Sequence, residues 1–418
     1  MSAATKFKPI DFAKMLERSG TYASADGLLY EWTGTHWTAM ADDEVERFAI
    51  RWIDDCGEHG EASGTNAAAA YKTAVLWLPK LAEATHVAVI PVQNGYLHID
   101  GGVSLCSHDK TLGMRHVLNC DYVPGAPMPR EFGAFLERVL PDTDVRSRVQ
   151  EYIGYTLLPD ARYQRAQLWV GSGANGKGVL ANITQALHVR TAAVQLNKLD
   201  GFGMSNLIGA SLIYCDEAPQ RNINEQAIKS LIAGEKVQIN RKYRDPISTR
   251  ITAKWLSLAN QIPAIQDQSN GFWRRFDVVP FEVEIPASER DPLLAQRIID
   301  RELSGVLSWA LEGLMRLLAR GRFDECVPAA IQSATRSARI ESNSVQAWTD
   351  DRDVKLSTSV DTSKSVVYAA YAVWSKANGM VPVSSPKFWK QLPGTLGRVE
   401  EGRLTTGAGR IRTCNVRL

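Results

Sequence analysis

Apolar and polar positions along the 418-residue chain fall into blocks of different period. Near the N-terminus, GLLYEWTGTHWTAM predicts two short aromatic strands, Leu28 to Trp32 and His36 to Met40, turning at Thr33 and Gly34. Asp42 and Asp43 then precede Val45, Phe48, Ala49 and Trp52 at helical spacing, and an acidic pair suits a helix N-terminus. After Ser63 and Gly64 an alanine-rich run reads as helix until Pro79 disturbs it. HVAVIPVQNGYLHID is extended on both sides of the turn pair Asn94-Gly95. Pro124 to Pro129 marks a boundary, and two amphipathic helical patterns follow from Arg130.

Further along, apolar strands alternate with helices. RAQLWVG is an apolar strand ending in glycine, and VLANITQALH beyond it is helical. SLIYCDE is a second apolar strand, ending in acids. A helix from Glu225 to Ala233, a basic hairpin in KVQINRKYRD and a third strand in KWLSLAN come next. This alternation predicts a three-layer α/β domain over roughly 160 to 285. Residues 290 to 335 read as mostly helical. The segment from about 340 opens with helical patterns and closes in short, glycine-punctuated extended pieces, the order of a winged helix.

Composition changes this picture little. Apolar residues are 44% and charged residues 22% of the chain, as in an ordinary globular protein. No run approaches the roughly 18 to 20 continuous apolar residues of a membrane span. The first residues lack a secretory pattern, so a cytoplasmic location is expected. The six cysteines are scattered without a C-x-x-C pair, and free thiols are the expected state. The net charge of +2 conceals an asymmetry: Pro386 to Leu418 holds seven basic and two acidic residues, and Arg221 to Lys254 holds eight and three. Both segments suit an anionic partner as well as a solvated charged face.

The main chemical signal is GSGANGKG, placed between a strand and a helix. Gly171, Ser172, Gly173, Ala174, Asn175, Gly176, Lys177, Gly178 and Val179 make up this candidate phosphate cradle and the entry to its helix. Glycines let backbone N–H groups wrap phosphates, the helix N-terminus favours anions, and Lys177 supplies a positive charge. Gly178 stands where a Ser or Thr hydroxyl usually reaches Mg²⁺, and it has no side chain to do so. Downstream, Asp216 is the candidate metal ligand and Glu217 the candidate base that polarises water. Asn260 ends a strand as a candidate γ-phosphate sensor or, equally, a turn-forming residue. Arg274 and Arg275 are candidate arginine fingers, the plainer reading being a surface ion pair. Arg241, Lys242, Tyr243 and Arg244 form a basic hairpin tip around one aromatic ring, suited to a single-stranded backbone.

Taken in order, GSGANGKG, SLIYCDEAP, IKSLIAGEKVQINRKYRDP, KWLSLANQIP and GFWRRFDVVPF resemble the superfamily-3 helicases. The narrower resemblance is to the phage and plasmid primase-helicase group, which includes satellite-phage primases and the poxvirus primase-helicase. QNGYLHID and VQEYIGYTLLPD extend it upstream; TSKSVVYAAYAVWSKANGM and KFWKQL extend it downstream. The resemblance implies an AAA+-like P-loop core, with an N-terminal mixed domain over 1–125, a helical collar over 126–159 and the ATPase core over 160–285. A helical extension over 286–338 and a winged-helix domain over 339–418 would complete it. It further implies ATP and Mg²⁺ as cofactors, single-stranded and forked DNA as partners, and a homo-hexamer with interfacial active sites. A separate primase or initiator is the further partner expected, because the chain leaves no room for a primase fold and primer synthesis is not expected of it. The competing reading is an origin-binding initiator or scaffold that binds ATP and hydrolyses it weakly. A P-loop small-molecule kinase leaves the basic hairpin and paired arginines unexplained.

Overall fold

The computed structural model describes residues 7–418 apart from 57–58, 84–87, 219–222, 242–243, 264, 266, 324–326, 379, 381 and 407–408. The chain begins with helix α1 (Pro9–Ser19) and an antiparallel meander of β1 (Tyr22–Ala25), β2 (Leu28–Trp32) and β3 (Trp37–Ala39). Helices α2 (Asp42–Asp55) and α3 (Gly64–Trp77) pack with α1 around Phe12, Leu16, Val45, Ala49 and Ala70. Helix α3 stops where Leu78 turns extended ahead of Pro79, since a residue before proline is kept out of helical backbone. A second meander contains β4 (Val89–Val92), β5 (Gly95–Ile99) and β6 (Val103–Cys106). Helix α4 (Arg130–Val139) buries Phe132, Phe135, Leu136 and Val139. In α5 (Thr143–Thr156) the Asp142 side chain accepts from the Asp144 and Val145 amides, satisfying N–H groups that have no partner inside the helix.

The next segment runs through β7 (Ala166–Val170), α6 (Lys177–Ala186), β8 (Thr191–Ala193), β9 (Leu212–Cys215) and α7 (Glu225–Ile232). It then forms the hairpin of β10 (Lys236–Arg241) and β11 (Arg244–Arg250), followed by β12 (Lys254–Ala259), α8 (Asn270–Trp273) and β13 (Phe276–Pro280). Five of these strands make a parallel sheet in the order β13-β7-β12-β9-β8. Alternate side chains feed two apolar cores, as a sheet buried on both faces requires. Trp169, Leu256, Leu258 and Val279 enter one core with α4, α5, α6 and α9 (Leu294–Arg320). Leu168, Ile213, Trp255 and Val278 enter the other, with α7, the hairpin and α10 (Ala329–Glu341).

The C-terminal part contains α11 (Ser344–Asp351), β14 (Lys355–Leu356), β15 (Thr362–Ser363), α12 (Lys364–Ala377) and α13 (Ser385–Leu396). It ends with β16 (Glu401–Thr406), β17 (Gly409–Cys414) and β18 (Val416–Arg417). Strands β16 and β17 are an antiparallel pair that β15 extends on the β17 side, over a core of Trp348, Tyr371, Phe388 and Val416. Among the described residues no helix is long and apolar enough to cross a membrane.

Beneath the sheet, Lys254 is buried at the start of β12, with its ammonium donating to the Leu158 carbonyl and lying 5.2 Å from the Tyr155 ring centre. Burial pushes its pKa from the ordinary 10.5 down to about 7, with Asp160 opposing the fall. An unfolded chain keeps that proton up to the ordinary value, so this group makes stability rise with pH from about 7 upward. Above about pH 9 the buried Cys120 thiol, pushed up from 9.0 to about 12, acts in the opposite sense. We expect Lys254→Met to raise stability at pH 7 by roughly 1–4 kcal/mol, since an apolar replacement removes a buried charge. Urea unfolding at pH 7 and about pH 9 checks it: a pH-dependent gain equal in both proteins would assign that dependence elsewhere.

Candidate nucleotide site

The cradle is the loop between β7 and α6. Gly176 stands at φ 80, and a Cβ there would meet Val139 Cγ1 at 2.5 Å and Phe135 Cε2 at 2.9 Å, so only glycine lets the loop lie on α4. Gly173 and Ala174 also have positive φ, at 113 and 50. Buried Asn175 donates through Nδ2 to the Phe281 carbonyl at 3.1 Å and fixes the loop to the end of β13. Ala174 is held from the same side, its carbonyl accepting from the Ile285 amide at 2.8 Å. Ser172, Gly178 and Val179 lie at least partly open to solvent.

Lys177 opens α6, and its ammonium donates to the Gly171 carbonyl at 2.9 Å and to Asn260 Oδ1 at 2.8 Å. Desolvation lowers its pKa, and the negative charge of Asp216 opposes this. Asp216 and Glu217 follow β9 as exposed residues, two strands from β7 across β12. Burial first, then the Asp216 carboxylate, pushes the Tyr214 phenol up. Glu217 has φ 59, a left-handed backbone that costs a non-glycine residue energy and is held here by the Ala218 amide donating to the Leu258 carbonyl at 2.8 Å. Thus Lys177, Asn260 and the acidic pair, far apart in sequence, gather at the C-terminal edge of the parallel sheet, where such sheets bind ligands.

Arg274 and Arg275 are not part of this cluster. Strand β13 runs beside β7 with Phe276 opposite Ala166 and Pro280 opposite Val170. The arginines therefore stand at the N-terminal edge, roughly a five-residue strand length of about 17 Å from the cradle. Arg274 is exposed, and its carbonyl accepts from Arg165 Nη1 at 2.7 Å. Arg275 is partly buried, donates to the Gly271 carbonyl, and its pKa is lowered by desolvation and then by Arg274. Behind them a buried group ties β13 to α5: Arg148 Nε donates to Asp277 Oδ2 at 2.7 Å, and Arg165 Nη1 lies 3.4 Å from Asp277 Oδ1.

Of the basic hairpin tip, Lys242 and Tyr243 lie outside the described residues. Arg241 and Arg244 flank them, both directed at carboxylates of α2. Sequence reasoning missed Asn175 as the loop's anchor and the α2 carboxylates as partners of the hairpin. A buried asparagine inside a glycine-rich loop was the available signal for the first.

The comparisons with known proteins agree with this architecture. A family model described as "Family of unknown function (DUF5906)" matches residues 169–275, the sheet segment that carries the cradle and the acids. "Putative helicase 184R" of Invertebrate iridescent virus 6 is 22% identical over 306 residues, 61% of this chain and 31% of that protein. "Putative helicase L207/L206" of Acanthamoeba polyphaga mimivirus is 23% identical over 163 residues, 36% of this chain and 17% of that protein. The chain thus spans less than a third of the length of these relatives. A solved structure described as "The A form apo structure of NrS-1 C terminal region-CTR" aligns with 98% of this chain and 100% of its own, with a TM-score of 0.51 and 13% identity. The likeness is one of fold, mixed α/β with a central parallel sheet. Distant relatives of the chain are therefore viral proteins named as helicases, and its fold is similar over nearly its whole length to that of one solved protein region.

Proposed function

We propose that the chain is an ATP-dependent DNA helicase of the superfamily-3 primase-helicase kind, working in replication of a phage, plasmid or mobile element. The observation that carries this reading is the bond between Lys177 and Asn260, with Asp216 following the neighbouring strand β9 at the same sheet edge, which brings three separate motifs to one edge. The viral relatives named as helicases support it. In this reading residues 160–285 are the ATPase core and 339–418 a winged helix whose wing is β16–β17, with Arg403 opposite Arg412. Residues 1–125, 126–159 and 286–338 serve as N-terminal domain, collar and helical extension.

The loop N–H groups and Lys177 hold the ATP phosphates, and Asn260 faces the γ-phosphate once released from Lys177. Glu217 takes the proton of the attacking water. Asp216, exposed at the same sheet edge as the lysine, whose desolvation-lowered pKa its charge raises, fits a Mg²⁺ ion. Mg²⁺ would neutralise charge developing on the phosphate oxygens. Of Arg274 and Arg275, both remote from their own cradle, the exposed Arg274 serves the site of a neighbouring subunit, which requires a ring, taken as a hexamer. The hairpin grips one strand by its backbone, so binding is sensitive to salt and largely insensitive to sequence. DNA-stimulated ATPase and forked-duplex unwinding test the reading; a folded protein inactive in both would end it.

Gly178 favours a second reading, an initiator or scaffold that binds ATP and turns it over weakly. Nothing lies within 4 Å of a Cβ built at this position, so a hydroxyl side chain can be added without moving a neighbour. We expect Gly178→Ser to lower the Mg²⁺ concentration for half-maximal hydrolysis by about tenfold, equivalent to ~1.4 kcal/mol. An unchanged Mg²⁺ requirement would mean that water already serves this position well. Tight binding to one duplex sequence with negligible turnover would favour the scaffold.

A further inference from the structure

The hairpin arginines are already occupied. Arg241 donates through Nη1 to both carboxylate oxygens of Asp42, each at 3.0 Å, and through Nε and Nη2 to the Asp245 carbonyl at 3.2 and 3.1 Å. Arg244 donates to the Glu46 carboxylate and places Nε 3.5 Å from Asp42 Oδ2. Tyr71 on α3 donates to Asp42 Oδ1 at 2.7 Å. The Glu46 bond, first among its causes, raises the Arg244 pKa.

Asp42 and Glu46 are four residues apart on α2, so both carboxylates project from one face. Two anionic groups there meet two arginine forks. Carboxylate and phosphate oxygens match that fork in the same bidentate way, so they compete for the same N–H donors. The side chains of Arg241 and Asp42 are each 17% exposed, so the contact is largely covered without being sealed from solvent. A cleft of about 850 Å³, lined by Tyr71, Lys72, Arg241 and Arg244 and also by Asp26 and Asp245, opens beside the contact and gives a strand an approach to the guanidinium groups.

We propose that α2 is an acidic clasp on the hairpin: Asp42 and Glu46 hold Arg241 and Arg244 in the positions of DNA phosphates, and a single strand must displace them to bind. The N-terminal helices thereby set the affinity of the hairpin and restrict its engagement to long polyanions, which offer many phosphates at once. This rests on the proposal that the hairpin binds DNA. Helix α2 keeps Asp43 and Glu44 at its start when Asp42 is neutralised, so its N-terminal electrostatics survive the test.

Fluorescence anisotropy with a labelled oligo(dT) reads the clasp directly. Asp42→Asn with Glu46→Gln is expected to bind at least about tenfold tighter than wild type at low salt, with the difference shrinking as salt rises. Equal or weaker binding by that variant, while Arg241→Ala with Arg244→Ala weakens wild-type binding, overturns the clasp and leaves the DNA reading standing. If the arginine variant binds as wild type does, the hairpin is not the DNA surface and both ideas fall. Hydrogen exchange on the wild-type chain gives a measurement that no substitution can confound. Oligo(dT) should protect 236–250 while raising exchange around 42–46; hairpin protection with unchanged or slower exchange in α2 overturns the clasp.

Discussion

Lys177→Ala is expected to lower ATP hydrolysis by about 10²- to 10³-fold, the range for removing one preorganised charge or donor from phosphates in the transition state. The loop should survive the change, because its shape rests on Gly176 against α4 and on Asn175 bonded to the Phe281 carbonyl rather than on the lysine. The substitution also releases Asn260, whose amide oxygen loses the donor it has at 2.8 Å. Hydrolysis, nucleotide binding and thermal unfolding, measured together, separate the possibilities. Wild-type turnover in a folded Lys177→Ala protein would remove the lysine from the mechanism.

Arg274→Ala should cost still more, on the order of 10³-fold or greater, as expected for an arginine finger. The effect should be repairable in a way that Lys177→Ala alone is not. In the proposed ring, a subunit with an intact cradle next to one with an intact arginine would form a complete interface. An equal mixture of Lys177→Ala and Arg274→Ala subunits is therefore expected to recover about a quarter of the wild-type sites, by random placement around a head-to-tail ring. No recovery after subunit exchange would mean that Arg274 does not act across an interface. Arg275→Ala provides the contrast, since that side chain donates to its own chain at Gly271 and is partly buried.

Much of the sheet was legible because its strands are apolar runs bounded by punctuation. AQLWV ends at glycine and LIYC ends at two acids, and both became strands of the central sheet. The Thr33-Gly34 hairpin and the Asn94-Gly95 turn were readable for a similar local reason, turn chemistry between apolar runs. Helix α1 escaped because its buried Phe12, Ala13 and Leu16 occupy only a few positions and Lys8 at its start offers no side-chain cap. Strand β8 is three residues long, too short for a period to register.

The same distinction runs through the site. Lys177 and Asn260 are 83 residues apart, yet both could be marked because each ends or begins a recognisable element. Asp42 could be read only as an acid at a helix start. Its partner Arg241 lies 199 residues further on, and local pattern has no access to a pairing that tertiary structure alone creates. The buried Arg148–Asp277–Arg165 group was hidden for this reason too: its charges lie on α5, on β13 and just ahead of β7, which meet only in the folded sheet.

The bond between Lys177 and Asn260 has a thermodynamic consequence. The Lys177 ammonium donates to two oxygens of its own chain, the Gly171 carbonyl and Asn260 Oδ1. In the proposed ATPase, nucleotide entry would be a substitution reaction, in which phosphate oxygens replace the Gly171 carbonyl and the Asn260 amide on the same nitrogen. Such an exchange yields only the difference between two sets of bonds, which favours moderate affinity and ready release of product. On that proposal the freeing of Asn260 is stoichiometric with occupancy, so that one event would both fill the cradle and release the proposed γ-phosphate sensor.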